Sequence, residues 1–265
     1  MSPAPLETAI HPTAVVMPGA TIGEGCEIGP YCVIEPPVSI GNGCKLGPHV
    51  HLLGHTTIGK DCTIRSGAVI GGEPQDDDYH GEATRVVVGD NCQIHEHVTI
   101  HRATGEGETV IGNNVRMMAG SHVGHNARVD DYAVLVNNSA VGGHAHIGER
   151  VILSGQSAVH QFCKVGRLTM VAGSCMVTRD VPPFSIVTGA HPLRWRGTNK
   201  IGLQRNDFES DERDAVRSAL SKLFVSEINR DGVADELRKA IMILSLKLRS
   251  SFARLRVVFR INNDV

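Results

Sequence analysis

Five of the six histidines between positions 101 and 160 offer the clearest chemistry in this chain of 265 residues: His101, His122, His125, His144 and His160. A neutral imidazole accepts a proton near pH 7, so a histidine beside a substrate hydroxyl can act as a general base while its neighbours position that hydroxyl. Imidazoles that lie together can also bind zinc, or they can form a plain solvated surface. The choice depends on how the fold arranges the five side chains.

The elements that position these histidines follow a six-residue repeat. An aliphatic residue recurs at every sixth position in three runs, which are Ile10, Val16, Ile22, Ile28, Ile34, Ile40, Leu46, Leu52, Ile58, Ile64, Ile70; Val88, Ile94, Ile100; and Ile111, Met117, Val123, Val129, Leu135, Val141, Ile147, Leu153, Val159, Val165, Val171, Val177. This period fits neither an α-helix nor a simple strand. It predicts a flat strand followed by a corner, with three units to a triangular coil, as in the hexapeptide parallel β-helix.

Counting units along this repeat brings the histidines together. His101 is the second residue of its unit, His125 the third residue of the unit three steps later, and His144 the fourth residue three steps beyond that. His160 is the second residue of a unit three further steps on. Because three units make one coil, we expect these four residues on one face in successive coils, with His122 at the adjoining corner.

The cysteines and the composition indicate the compartment. All seven cysteines follow a repeat aliphatic by four residues, at a position held elsewhere by Ala, so we expect small apolar fillers rather than disulfides or metal ligands: Cys26, Cys32, Cys44, Cys62, Cys92, Cys163 and Cys175. Free thiols suit a reducing cytoplasm. No apolar run approaches the roughly 18 residues of a membrane span, and the N-terminus lacks a signal-peptide pattern. We expect a cytoplasmic protein.

Two interruptions of the repeat predict loops. The stretch from Gly71 to Val87 is acidic and returns in phase, so it should leave one corner about one coil before His101. The stretch between Ile100 and Ile111 carries five extra residues. Loops on a rigid scaffold often carry function.

The sequence divides into two predicted domains, a β-helix over 1–192 and a helical domain over 193–265. Ser210, Asp211 and Glu212 resemble a helix N-cap with an acidic first turn, and helices are expected over 214–229 and 234–258. The tail is basic while the body is acidic, which favours an acidic partner or a solvated helical face.

An ordered set of short motifs then carries a resemblance over nearly the whole chain. The set comprises Gln75-Asp76, Tyr79-x-Gly81-Glu82, Val98-Thr99-Ile100-His101-Arg102, His122-Val123-Gly124-His125, Asn137-Asn138, Gly142-Gly143-His144, His160-Gln161-Phe162-Cys163 and Asp180-Val181-Pro182-Pro183. It resembles the UDP-N-acetylglucosamine O-acyltransferases of lipid A biosynthesis, in the hexapeptide-repeat acyltransferase family. The resemblance implies a left-handed coil, a C-terminal α-helical domain and a homotrimer with sites between subunits. It also implies transfer of a 3-hydroxyacyl group from acyl carrier protein to the sugar 3-hydroxyl, without a cofactor or metal.

The same resemblance assigns roles to individual residues. His125 matches the general base, and the Gly143 N–H matches the donor to the developing oxyanion. The predicted sugar-nucleotide contacts are Gln75, Asp76, His122, His144, His160, Gln161, Asn199 and Arg205, to which we add His101 from the histidine column. The predicted acyl-chain contacts are Asn138 and Gly173.

Four positions depart from the family pattern. Asp78 stands where the family usually has Lys, and Asn126 where it has Asp after the catalytic histidine. In the tail motif, Ile201 replaces Glu and Asn206 replaces an Arg. Two positive charges expected near a pyrophosphate are therefore missing.

These departures keep alternatives open. One alternative is acylation of an amino group of a related UDP-amino sugar, where a changed acceptor accompanies the changed phosphate contacts. A metal-dependent hydratase of the same fold would use the histidines as zinc ligands, although the His122-x-x-His125 spacing does not match that branch. A purely structural β-helix would leave the histidine column without a role.

Overall fold

The computed structural model describes residues 7–225, where the chain forms 28 strands and two helices. In chain order the strands are β1 Ala9–Ile10, β2 Val15–Val16, β3 Thr21–Ile22, β4 Glu27–Ile28, β5 Val33–Ile34, β6 Ser39–Ile40, β7 Lys45–Leu46, β8 His51–Leu52, β9 His55–Ile58, β10 Thr63–Ile64, β11 Val69–Gly72, β12 Arg85–Val88, β13 Gln93–Ile94, β14 Thr99–His101, β15 Glu108–Ile111, β16 Arg116–Met117, β17 His122–Val123, β18 Arg128–Val129, β19 Val134–Leu135, β20 Ala140–Val141, β21 His146–Ile147, β22 Ile152–Leu153, β23 Ala158–Val159, β24 Lys164–Val165, β25 Met170–Val171, β26 Met176–Val177, β27 Ser185–Thr188 and β28 Arg194–Thr198. The helices are α1 Lys200–Gln204 and α2 Ser210–Val225.

The strands stack into the three faces of a left-handed parallel β-helix. The first face has eleven strands in the order β1-β4-β7-β10-β13-β16-β19-β22-β25-β27-β28. The second face has nine, β2-β5-β8-β11-β14-β17-β20-β23-β26, and the third has eight, β3-β6-β9-β12-β15-β18-β21-β24. Repeat aliphatics pair with repeat aliphatics of the next coil, as Ile10 does with Ile28 and Val16 with Ile34. The predicted fold class and repeat frame are confirmed.

The core is the column of inward-facing residues inside the prism. The largest fully buried side chains are Ile34, Leu52, Ile58, Ile64, Ile70, Ile94, Ile100, Ile111, Met117, Leu135, Ile147 and Leu153. Burial of each such side chain stabilises the fold by about 1.5–3 kcal/mol before entropy costs. Ile10 departs from the expectation and is 46% exposed, because its coil has a neighbouring coil on one side only.

The cysteines occupy the inner corners of the coils, as predicted. All seven are buried, and Cys44 Sγ lies 3.0 Å from the carbonyl oxygen of Gly59 in the next coil. Burial raises the pKa of the Cys32 and Cys175 thiols, so these groups stay neutral and pack as small side chains.

Both interruptions leave and rejoin the coil in register. Ile58 pairs with Val88 across the first loop, and Val88 pairs with Ile111 across the second. The first loop spans residues 73–84 and leaves the second face after β11, which pairs directly with β14. It therefore emerges beside His101, as expected.

A hairpin lies at the predicted domain boundary. Strand β28 pairs antiparallel with β27 at the end of the first face, so a boundary at 192/193 falls inside a hairpin. Beyond the hairpin, Leu203 of α1 and Val216 and Leu220 of α2 pack with Phe184 of the last coil. Helix α2 begins at Ser210, four residues before the expected 214, and the Glu212 carboxylate accepts from the Glu209 N–H at 2.9 Å.

Some expectations fall outside the described residues. These are the predicted helix over 234–258, the end of the first predicted helix, and most of the basic tail. Between residues 7 and 225, no helix has the length and apolarity needed to cross a bilayer.

Candidate active site

The histidines gather on the second face, as the repeat predicts. Strands β14, β17, β20 and β23 are consecutive there, and each carries or precedes one of the column residues. His125 and His144 lie in the turns after β17 and β20, in what we call the histidine corner, where residues 124–127, 142–145 and 160–163 pass from the second face to the third. One placement was wrong: His122 belongs to β17 itself and pairs with Thr99, so it faces outward from the sheet rather than sitting at a corner.

His125, the candidate base, is the most buried histidine of the column, with 7% of its surface exposed. Its Nδ1 lies 2.9 Å from Asn126 Oδ1 and 3.5 Å from Asp76 Oδ2. Two acceptors at Nδ1 require the proton on that nitrogen, which leaves the Nε2 lone pair free to take a proton from a substrate. Of the two acceptors, the neutral amide oxygen of Asn126 makes the shorter contact.

The second interruption fixes the Asn126 amide. Thr104, in that loop, donates its N–H to Asn126 Oδ1 at 2.9 Å, and Asn126 Nδ2 donates to the Thr104 carbonyl at 3.1 Å. A flipped amide would break both bonds, so the oxygen must face His125. The five extra residues therefore help to set the tautomer of the candidate base.

Gly143 lies directly against the free nitrogen of His125. A Cβ at this position would meet His125 Nε2 at a distance that real Cβ atoms do not show, so only glycine permits the approach. The Gly143 carbonyl accepts from the Phe162 N–H at 3.0 Å. Within residues 7–225, the Gly143 N–H has no hydrogen-bond acceptor, although the residue is buried. A buried, unpaired N–H beside a base is a donor available to a ligand.

The remaining histidines are held neutral or lie open. The rings of His101 and His122 meet edge to face with centroids 4.8 Å apart, and Thr99 Oγ1 contacts His122 Nδ1 at 2.8 Å. Burial lowers the pKa of His122 to about 4, and the neighbouring His101 adds to the shift. Burial also lowers the pKa of His101 and of His144, with His125 adding to both shifts. His101 and His122 are half-buried, so this part of the column is not a plain solvated face.

The acidic loop reaches this cluster through Asp76. Arg102 fastens the loop: its Nη2 donates to Tyr79 Oη at 2.6 Å and its Nη1 to the Gly71 carbonyl at 2.9 Å. Gln75 and Asp78 are exposed in the same loop. Sequence reasoning placed Arg102 and Tyr79 in motifs but gave them no role, because their contact joins residues far apart in the chain.

Comparison with known proteins places the chain in a family. A family model described as UDP N-acetylglucosamine O-acyltransferase, domain 2, matches residues 180–252, and a bacterial transferase hexapeptide model matches residues 7–36 and 37–72. The acyl-[acyl-carrier-protein]–UDP-N-acetylglucosamine O-acyltransferase of Gloeothece citriformis is 43% identical over 235 residues, which cover 88% of this chain and 85% of that protein. The chain belongs to this O-acyltransferase family. The similarly named protein of Chlamydia caviae is 42% identical, over 88% of this chain and 82% of its own length.

Solved structures of UDP-N-acetylglucosamine acyltransferases have the same fold. The one from Acinetobacter baumannii gives a TM-score of 0.85 at 35% identity, covering 91% of this chain and 93% of that one. The one from Bacteroides fragilis 9343 gives 0.84 at 35% identity, covering 87% and 90%.

Four residues assigned by resemblance to this O-acyltransferase family lie away from the histidine corner. Asn138 and Gly173 sit in turns from the first face to the second, the opposite edge of the histidine-bearing face. Arg205 is an exposed residue at the end of α1. Asn199 is buried as the N-cap of α1, where its Oδ1 accepts from the Gly202 N–H at 3.0 Å and its Nδ2 donates to the Leu168 carbonyl at 2.8 Å. Its side-chain amide is therefore already used to hold the helix in place.

Two further predicted contacts lie open at the histidine corner. His160 and Gln161 are exposed, and His160 Nδ1 contacts the Gln161 carbonyl at 3.2 Å. Phe162, which the sequence analysis placed in a motif without a role, stacks on the His144 ring with centroids 4.7 Å apart and remains 64% exposed. An exposed aromatic face beside the base can pack against a ligand ring or chain.

Proposed function

We propose that the protein transfers a 3-hydroxyacyl group from acyl carrier protein to the 3-hydroxyl of UDP-N-acetylglucosamine, the first step of lipid A biosynthesis. The observation that carries the proposal is the pairing of an oriented, Nδ1-protonated His125 with the unpaired Gly143 N–H beside its free Nε2. A base and an oxyanion donor at one point are what acyl transfer to a hydroxyl requires.

The reaction follows from these two groups. His125 Nε2 takes the proton of the sugar hydroxyl as its oxygen attacks the thioester carbonyl carbon, and the carbonyl oxygen becomes an oxyanion that the Gly143 N–H stabilises. Collapse of the intermediate breaks the carbon–sulfur bond, and the imidazolium returns its proton to the departing thiolate. The acyl group passes directly between substrates, so the chemistry requires no cofactor, metal or covalent enzyme intermediate.

The neighbouring imidazoles suit a sugar nucleotide as acceptor. Because the pKa values of His101, His122 and His144 are lowered, these side chains are neutral near pH 7 and can donate or accept hydrogen bonds with sugar hydroxyls. His160, Gln161 and Gln75 are exposed and open to contacts of the same kind.

One observation favours acylation of a related UDP-amino sugar as a second candidate. Asn206, which replaces a family Arg, donates its Nδ2 to the Gly202 carbonyl at 2.7 Å and so serves the C-terminal end of α1. With Asp78 also in place of Lys, two expected phosphate-facing cations are absent, and an acceptor with different phosphate contacts fits this loss.

Assembly and location are part of the same proposal. Asn138, Gly173 and Arg205 lie on other parts of the chain than His125, and a homotrimer would bring a neighbour's copies of them to the histidine corner. The acyl carrier partner is acidic, which suits the basic tail of the chain. We place the enzyme in the cytoplasm, where the carrier and the nucleotide sugar are made.

The test is an assay of the purified protein with a panel of acyl carrier protein thioesters and UDP-sugars, read by mass spectrometry. The proposal expects an ester of UDP-N-acetylglucosamine as the main product. An amide product on a UDP-amino sugar would support the second candidate, and absence of any acyl product across the panel would overturn both. His125→Ala serves as the blank for uncatalysed transfer.

A further inference from the structure

We propose that Asp76 is a positioning residue that acts through His125, stabilising the imidazolium formed during transfer, while neutral Asn126 sets only the ring orientation. This inference rests on the proposed function. It gives Asp76 a role different from the sugar contact that the resemblance implies. Two roles at one nitrogen, His125 Nδ1, are thus divided between two side chains.

The first role, orientation of the His125 ring, belongs to Asn126. Its Oδ1 lies 2.9 Å from His125 Nδ1, and the two hydrogen bonds with the Thr104 backbone prevent the amide from turning. An amide oxygen holds the tautomer as well as a carboxylate does, but it carries no charge. When His125 gains a proton, Asn126 therefore offers only a dipole.

The second role, compensation of the positive charge on protonated His125, belongs to Asp76. Its Oδ2 lies 3.5 Å from His125 Nδ1, and the side chain is 25% exposed, so the pair is partly shielded from water. Among the ion pairs described within residues 7–225, this is the one that gives His125 a carboxylate. The ionisable groups that face His125 from its other sides are the imidazoles of His101, His122 and His144, whose lowered pKa values keep them neutral near pH 7. A carboxylate on the loop side balances the positive charge that the reaction creates there.

The loop is built to hold that carboxylate in place. Asp76 Oδ1 accepts from the Asp78 N–H at 3.2 Å, and the Asp76 carbonyl accepts from the Tyr79 N–H at 3.1 Å, which leaves Oδ2 directed to His125. Tyr79 is fixed in turn by Arg102, whose Nη2 also pairs with Glu73 at 3.1 Å. Asp76 is thus tied to Arg102, the residue that follows β14, rather than left on a free loop.

The local structure also explains why the charge does not sit at position 126. Asn126 Nδ2 donates to the Thr104 carbonyl, so a carboxylate there would place an oxygen against that carbonyl oxygen. The Thr104 loop therefore favours an amide at 126, and the charge has to come from the other side of the ring.

The experiment is a double-mutant cycle of Asp76→Asn and Asn126→Asp, assayed for kcat and for the KM of the sugar nucleotide. Asp77→Asn, in the same loop and exposed, is the matched control for loss of one negative charge. We expect Asp76→Asn to lower kcat about 10- to 100-fold with little change in KM, a smaller loss than the about 10²–10⁴-fold that removal of a general base causes. Asn126→Asp should restore part of that loss in the double variant, because it returns a carboxylate to Nδ1 although the Thr104 carbonyl opposes it. Asp77→Asn should keep wild-type kcat.

Each other outcome decides against the inference. A raised KM with intact kcat in Asp76→Asn would show that the carboxylate serves the sugar alone. A folded double variant no more active than Asp76→Asn would show that charge is not what was lost. Should Asn126→Asp fail to fold, the division between kcat and KM in Asp76→Asn still decides. A wild-type protein without acyltransferase activity would overturn the proposed function as well, whereas an active wild type with an unaffected Asp76→Asn variant overturns this inference only.

Discussion

Two corners of the same β-helix treat the same backbone group in opposite ways. Where the chain passes from the third face to the first, the second residue of the turn has its N–H capped by a side chain of the next coil. The Lys60 N–H donates to Asp90 Oδ1 at 2.8 Å, that of Asp90 to Asn113 Oδ1 at 2.8 Å, and that of Asn113 to Asp131 Oδ1 at 2.7 Å. We call this the capped corner.

At the histidine corner the equivalent positions are His125, Gly143 and Gln161. Gly143 has no side chain to cap the His125 N–H, and within the described residues Gln161 does not cap that of Gly143. At the capped corner the turn N–H groups form hydrogen bonds that stabilise the fold, whereas at the histidine corner they remain available to a ligand. One repeat thus yields both a structural edge and a candidate active edge, and the residue at the second turn position decides which.

The largest expected effect is at the histidine corner. His125→Ala removes the base and should lower kcat by about 10²–10⁴ while the fold persists. His146→Ala on the third face, where the ring contacts Asp130 at 2.8 Å, is the matched control and should retain kcat. Steady-state assays and circular dichroism check both variants. Near-normal turnover in folded His125→Ala would remove the distinction between the two corners.

Gly143→Ala tests the glycine that leaves the corner open. The added Cβ displaces the His125 ring, and we expect kcat to fall by about 10²–10³, similar to the loss of an oxyanion donor. Gly155→Ala is the matched control, because it occupies the same turn position at another corner and its Cβ would meet only ordinary contacts with Asn137 and Val136. Equal losses in the two variants would mean that any added methyl at this turn position disturbs the enzyme.

The sequence predicted the fold that carries the two corners better than it predicted the contacts within them. The repeat frame located the strands, the faces and the histidine column, because inward aliphatics repeat with the coil. It did not reveal that Asn126 orients His125 or that Asp76 approaches it, since both contacts depend on loop conformations fixed by Thr104, Arg102 and Tyr79. The structural use of Asn199 was also hidden, because capping and ligand contact call for the same amide.

Gly173→Met probes the corner on the other edge of the second face. The ideal Cβ of residue 173 meets only the Gly155 carbonyl oxygen, at 3.4 Å, so a side chain fits there and would occupy open space. If that space takes the acyl chain, preference should shift to shorter donors, with two methylenes worth roughly tenfold in kcat/KM at about 0.8 kcal/mol each. A chain-length series on both proteins checks this. An identical preference would direct attention to the exposed neighbours Met170 and Met176.

Mutations at the capped corner should change the stability of the fold and leave catalysis unchanged. Asn113→Ala removes the cap on the Asp90 N–H and should lower the free energy of unfolding by about 1 kcal/mol, the usual net value of such a bond. Urea unfolding gives this value, and kcat should remain that of the wild type. A loss of kcat without a loss of stability would contradict the assignment of a purely structural role to the capped corner.

The last prediction concerns the acid sensitivity that the buried histidines confer. The pKa of His122 is about 4 in the folded chain against 6.5 for the free side chain. Between these values the unfolded chain binds more protons, so stability present above pH 6.5 is lost as the pH falls towards 4. His122→Asn should flatten this part of the stability curve, because the unfolded state then has one fewer imidazole to protonate. Thr99→Val, which removes the hydroxyl contact but keeps the imidazole, is the control and should keep the slope. Denaturant unfolding between pH 4 and 7 measures both variants. An unchanged dependence of the unfolding free energy on pH in His122→Asn would show that the acid sensitivity does not arise from His122.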